Sequence, residues 1–340
     1  MKKLLLILLM APVCGLAQSS PDPFMGDWQG RLTLNGAAQE VAVYLIPRGE
    51  GRYEAKIVRA FNERSPVLHH LQGRLADGRL SLLDAIPFDP AHVLRVTEDG
   101  VVVNAALWRG DLAQKAALGT VEGRLRGTFA LKHIRRHSPT LGKEPPAGAR
   151  VLMGKTGGLE AWQRVGKPNE APQWKALGNG VFEVHGGDIV TKEKFRDCQL
   201  HVEFRLPYMP HATGQGRANS GVYLQGRYEV QVLDSYGLSG EDNECGGIYH
   251  VAKPRVNMCF PPLQWQTYDI TFRAPRFENG RKVANARITV VHNGVVIQDD
   301  TELPGPTGGA IDQNEAAPGG LKLQDHGNPV QYRNIWILPR

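Results

Sequence analysis

Asn-Gly and Asp-Gly pairs punctuate the chain, among them Asn35-Gly36, Asp77-Gly78, Asp99-Gly100 and Asn293-Gly294. Each lies between short β-prone runs. Both residues of such a pair tolerate the positive φ that a two-residue hairpin turn demands. After the first pair, Val41, Val43 and Leu45 alternate with other residues, as in a strand with one buried face. Residues 121–131 read as two more short strands broken at Gly127. In the second half no helical periodicity is long enough to matter. Strands at regular spacing without helices predict an all-β chain: a small antiparallel barrel or sandwich first, then a larger sandwich.

At 340 residues the chain has room for two domains. Residues 137–149 are rich in Pro and Gly and can continue neither strand nor helix, so they read as a linker. An N-terminal β domain over 18–136 and a second domain over 150–340 follow. The net charge of +6 includes Lys2 and Lys3, and the rest is spread without a Lys/Arg block. No nucleic-acid partner is expected. Lys2 and Lys3 precede an apolar run over 4–10, and Gly15-Leu16-Ala17 resembles a signal-peptidase site. Residues 1–17 therefore read as a leader, and the protein as periplasmic or extracellular. Cys14 offers a lipoprotein alternative, but Ala11-Pro12-Val13 makes a poor lipobox. No segment is apolar enough for a transmembrane anchor. Cys198, Cys245 and Cys259 would remain after cleavage. Cys245 and Cys259 could close a short loop, and Cys198 reads as a small buried apolar residue. His69-His70 reads as a strand end or exposed loop, with metal binding the alternative.

Alternation assigns faces in the second domain. Val202, Phe204 and Leu206 share one face of their segment; His201, Glu203 and Arg205 share the other. Asn219, Gly221 and Tyr223 share a face, as do Glu229 and Gln231 opposite Val230 and Val232. Plain amphipathicity explains such faces when they are solvated mixtures with Lys. Here Glu, Arg, Asn, Tyr and Gln cluster without Lys. Amides and carboxylates match paired sugar hydroxyls, and a ring can cover an apolar sugar face. Near the chain end, His326 stands between Asp325 and Gly327. Its ordinary pKa suits proton transfer near neutral pH, although a histidine capping the turn is an equal reading.

Read together, these segments resemble the bacterial 3-keto-disaccharide hydrolase family, formerly a domain of unknown function. The match is carried by Phe195-Arg196-Asp197, Leu200 and Glu203-Phe204-Arg205, then Asn219-Ser220-Gly221-Val222-Tyr223 and the run from Tyr228 to Ser235. Cys245-Gly246-Gly247-Ile248-Tyr249, Trp265, Asn293-Gly294, Gln324-Asp325-His326-Gly327 and Tyr332-Arg333-Asn334-Ile335 complete the ordered set. The resemblance implies a concanavalin-like jelly roll over about 150–340. It also implies cleavage of glycosides already oxidised to a ketone at C3.

Such a ketone acidifies the hydrogen on C2. Its removal gives an enolate that can expel the C1 oxygen, and water can add back. On this route His326 or Glu229 would be the base. Arg205, helped by Asn219, would hold the oxyanion, and Glu203 or Asp234 would protonate the leaving group. Gln231, Tyr223, Trp265, Tyr249 and Arg333 would position the sugar. No cofactor is required. A metal is an alternative electrophile, and the acidic run Glu241-Asp242-Asn243-Glu244 could hold calcium, although it lacks the spacing of a calcium loop. Two other functions fit the same face. A lectin-like module would bind glycans without cleaving them. An ordinary glycosidase would pair Glu229 with Glu203 across a cleft.

Overall fold

The computed structural model describes residues 22–84, 93–97, 100–103, 106–113 and 115–340. The leader with Cys14, and Asp99 of the third turn pair, lie outside the described residues. No α-helix occurs among the described residues, so none is long and apolar enough to cross a membrane.

The first domain is a closed up-and-down barrel. Its strands are Gly26–Leu34, Ala37–Pro47, Arg52–Val58, His69–Ala76, Arg79–Asp84, Ala106–Leu112, Ala116–Gly123 and Gly127–Ile134. The last pairs back onto the first, with Asp27 opposite Ile134 and Leu34 opposite Gly127. Closure leaves no unpaired edge. The first turn forms as its sequence demands: Asn35 has φ 49° and Gly36 φ 85°, with Leu34 paired to Ala37 across it. Trp28, Leu32, Val43, Ile57, Leu82 and Phe129 point inward around a cavity of about 40 Å³. The break expected at Gly127 falls earlier. Gly127 opens the last strand, and residues 124–126 make the turn. His69 and His70 begin a strand, where His70 Nε2 lies 2.6 Å from a Glu54 carboxylate oxygen and His69 Nδ1 lies 3.4 Å from Asp84.

The second domain is a sandwich. One sheet runs in the order Lys175–Gly178, Val181–Glu183, Gln331–Pro339, Cys198–Arg205, Trp265–Arg273, Ala286–His292, Val295–Leu303, with Arg150–Met153 also pairing to the Gln331–Pro339 strand. The other runs Trp162–Arg164, Ile189–Thr191, Lys322–Leu323, Ser220–Leu224, Tyr228–Val232. Val202 and Phe204 from the first sheet meet Val222, Val230 and Leu323 from the second in one core. All three cysteines described are buried thiols, so the loop that Cys245 and Cys259 could close is not bridged. The Cys245 sulfur lies 3.1 Å from the Tyr268 hydroxyl, and the Cys259 thiol donates to the Leu233 carbonyl. Burial pushes the Cys198 thiol up to about 12.

Several contacts fasten barrel to sandwich, among them Arg64 Nη2 donating to the Gly240 carbonyl at 2.7 Å. Asp27, 1% exposed, accepts hydrogen bonds from Arg136 Nε at 2.8 Å and from the Tyr236 hydroxyl at 3.0 Å. The Pro/Gly linker then lies pinned along the outer face of the first sheet. Thr140 Oγ1 donates to Asp269, Gly142 N donates to Glu203, and the Lys143 carbonyl accepts from Asn334 and Trp336. Low propensity for strand or helix does not make a segment loose when side chains satisfy its backbone.

Candidate active site

Because side chains alternate, the residues that send Val222, Val230 and Leu323 into the core send their neighbours outward. Tyr223 is in register with Glu229 on one side and with Lys322 on the other. Three chemically capable side chains thus stand side by side on the outer face of the five-stranded sheet. Gly221 makes this possible. A Cβ there would lie 2.3 Å from a Glu229 carboxylate oxygen and 2.7 Å from the Tyr223 ring.

The row is covered. Glu229 is 2% exposed, Tyr223 0% and Lys322 3%. A strap over residues 305–310 crosses it, with the Tyr223 hydroxyl donating to Gly308 O at 3.1 Å and Lys322 Nζ donating to Gly309 O at 2.7 Å. Lys322 Nζ also lies 2.8 Å from an Asp188 carboxylate oxygen and 4.0 Å from the Tyr223 ring centre. Gln324 Nε2 donates to the Tyr223 hydroxyl at 3.1 Å. Burial pushes the Glu229 carboxyl up to about 7, against the opposing pull of Tyr223 and Lys322. A carboxyl that titrates there can both take and return a proton at neutral pH. Burial and the neighbouring Glu229 charge push the Tyr223 hydroxyl up as well, far from ionisation, and so it stays a donor.

Gln231, Asn219 and Tyr249 border this row. Gln215 Oε1 accepts from both Gln231 Nε2 and Asn219 Nδ2, and Tyr249 packs beside Gly308 of the strap. Asp234 has a different task. It is buried in an ion pair with Arg217 Nε at 2.6 Å and accepts from Tyr236 N.

Glu203, Arg205, Trp265 and Arg333 stand elsewhere. Their strands belong to the other sheet, and Val202 and Phe204 point into the shared core. The four side chains therefore face away from it on the opposite outside of the sandwich. Glu203 and Arg205 are therefore not brought together with Glu229, as the roles expected of them require. Alternation fixes a residue's face on its own strand, but not the sheet to which that strand belongs. Arg205 and Arg333 both lie over Trp265, at 4.9 and 4.1 Å from the ring centre. Glu203 accepts from Gly142 N, Asn334 Nδ2 and Arg333 Nε. Burial works to raise its carboxyl, but these bonds and His201 outweigh it and hold Glu203 at about 2.

His326 is exposed on its turn, whereas the neighbouring Asp325 ties the turn down by accepting from Gly187 N. The acidic run is folded on itself, with Glu244 accepting from Gly240 N and Glu241 N and the Asn243 carbonyl accepting from Gln215. Among the described residues no group of three or more His, Cys, Asp or Glu is arranged to hold a metal ion.

A family model described as the 3-keto-alpha-glucoside-1,2-lyase-like domain matches residues 148–338. The chain belongs to this family. The lyase-like domain takes in both sheets and the Glu229 row, and leaves the barrel outside it. A crystal structure from Parabacteroides distasonis, described as a "putative glycosyl hydrolase", is 38% identical, with a TM-score of 0.51, covering 57% of this chain and 85% of that one. A second from the same organism and with the same description is 19% identical, with a TM-score of 0.40, covering 57% of this chain and 94% of that one. No curated protein matches the chain.

Within the lyase-like domain, Lys322, Asp188 and the strap glycines are functional candidates that sequence reasoning missed. A lysine between Leu321 and Leu323 reads as an ordinary solvated position. Only the register of a two-residue strand places it beside Tyr223.

Proposed function

We propose that the lyase-like domain is a secreted enzyme that cleaves glycosides carrying a ketone at C3. The observation that carries this reading is the Glu229 carboxyl, buried and titrating near 7 beside two donors, Tyr223 and Lys322. The Glu229 carboxylate takes the proton from C2. The C2–H electron pair moves into the C2–C3 bond, and the ketone oxygen becomes an enolate oxygen. The Lys322 ammonium and the Tyr223 hydroxyl stabilise that oxygen, as donors aimed at developing charge do. The enolate then reforms the ketone and expels the C1 oxygen, which receives the proton from Glu229. The products are an unsaturated keto sugar and the free aglycone, and addition of water to the former completes a net hydrolysis.

Placement supports some of the earlier candidates over others. Glu229 is favoured over exposed His326 as the base. Lys322 replaces Arg205, which lies on the far side of the sandwich. Glu203, held near 2 on that same far side, is unsuited to donating a proton at neutral pH. The pairing of Glu229 with Glu203 that an ordinary glycosidase would use is likewise unavailable. The test is to compare methyl 3-keto-α-glucoside with its unoxidised parent. Release of methanol from the oxidised glycoside alone is expected. Equal or faster cleavage of the parent rejects the ketone-dependent route.

A further inference from the structure

With the strap in place, Glu229 is only 2% exposed. What the strap does there suggests its role. It places two backbone carbonyls on the two donors of the row, Gly308 O on Tyr223 and Gly309 O on Lys322. A peptide carbonyl and a sugar ketone are both neutral C=O acceptors. We propose that the strap carbonyls occupy the position of the substrate's ketone oxygen, so the strap is an internal stand-in that leaves as substrate enters. This rests on the functional reading above.

The local geometry fits a short segment that lifts between fixed ends. Thr307 is anchored, its N donating to Arg227 O at 2.9 Å and its Oγ1 accepting from Glu229 N at 3.0 Å. Ile311 is anchored by its N donating to Gly226 O at 2.8 Å. Between them, Gly308, Gly309 and Ala310 span the row. Gly309 has φ +77°, and a Cβ on it would lie 2.6 Å from the Tyr223 hydroxyl oxygen. Only glycine lets the strap lie this close. Exchanging one carbonyl acceptor for another leaves the hydrogen-bond count unchanged, so entry of a ketone need not leave either donor bare. Lifting the strap without a ligand would leave both donors to find water.

Hydrogen exchange tests the proposal on the full chain. A Glu229→Gln variant, chosen to slow turnover, is saturated with methyl 3-keto-α-glucoside, with binding verified by calorimetry. Exchange at the amides of residues 308–310 should rise by about ten-fold or more, while that of the anchors Thr307 and Ile311 and of Val230 in the neighbouring strand stays put. Unchanged or slower exchange with ligand bound overturns the inference. Turnover by the wild type separates the two claims. Ketone-dependent cleavage with an unmoved strap removes the inference and leaves the function. A strap released by a ligand that the wild type does not cleave removes the function and leaves the inference. Absence of both binding and turnover removes both.

Discussion

The Lys322 ammonium lies 4.0 Å from the centre of the Tyr223 ring and 2.8 Å from an Asp188 carboxylate oxygen. It is a buried cation between an aromatic face and one partly exposed anion, on the same side of the sheet as Glu229. Lys322→Met keeps the packing of the stem and removes the charge. Asp188 retains solvent and its bond from Asp325 N, so the fold should survive. Loss of an oxyanion donor predicts a fall in kcat/KM of about a hundred-fold or more on a 3-keto-glycoside. Because Lys322 also pulls the Glu229 carboxyl down, the midpoint of the pH–rate profile should move up in the surviving activity. A variant with wild-type rate and profile removes Lys322 from the site.

Glu229 sets the pH dependence. The base must be ionised, so kcat/KM should rise with pH through a midpoint of about 7. Glu229→Gln should lose at least about a hundred-fold. Stability runs the other way. The folded chain keeps the Glu229 proton up to about 7, against an ordinary value of 4.5. Folding is therefore unpenalised below the ordinary value and loses about 3 kcal/mol as pH rises between the two. Glu229→Gln should melt higher than wild type at pH 8, and the gap should close by pH 4. Thermal unfolding at both pH values measures it, and an unchanged gap shows that the carboxyl is not strained by burial.

Much of this fold was legible from local chemistry. Asn35-Gly36 and Asn293-Gly294 made the turns their φ preferences demand, and the alternation of Val202, Phe204, Val222 and Val230 named core residues correctly. Glu229, Tyr223 and Gln231 were readable as a polar face for the same reason. What could not be read was the long-range pairing. The strand of Glu203 looks like that of Glu229 in its alternation, yet the two lie in different sheets. Lys322 reached the site through a two-residue strand too short to carry a pattern. The strap has no periodicity at all, and its role comes from backbone carbonyls that every residue possesses.

Glu203 offers a contrast with Glu229. Its carboxylate gathers the linker amide of Gly142, Asn334, Arg333 and the buried His201. Glu203→Gln should destabilise the sandwich by about 3 kcal/mol, since breaking a buried pair leaves its partner's charge uncompensated. The linker should become a site of proteolytic nicking near Leu141. The value of about 2 is below the ordinary 4.5, so this stabilisation is present above pH 4.5 and is lost as pH falls toward 2. On the folded variant kcat/KM should stay within about three-fold of wild type. A hundred-fold loss without unfolding would return Glu203 to the chemistry.

Asp27 and Arg136 give the last prediction. The Asp27 carboxylate is 1% exposed, and the Arg136 guanidinium reaches both its oxygens, at 2.8 and 3.2 Å. Arg136 lies over the rings of Phe61 from the barrel and Phe260 from the sandwich, so a single cation bridges the two domains. Arg136→Met leaves the Asp27 charge buried with only the Tyr236 hydroxyl for a partner, at 3.0 Å. A cost of about 4 kcal/mol is expected. Adding Asp27→Asn removes the stranded charge and should recover about half of that loss. Calorimetry should show barrel and sandwich melting apart in the single variant and closer together in the double. If the two substitutions simply add, the pair is not what holds the domains together, and the other contacts between them, such as Arg64 on the Gly240 carbonyl and Tyr44 against Tyr236, carry that task.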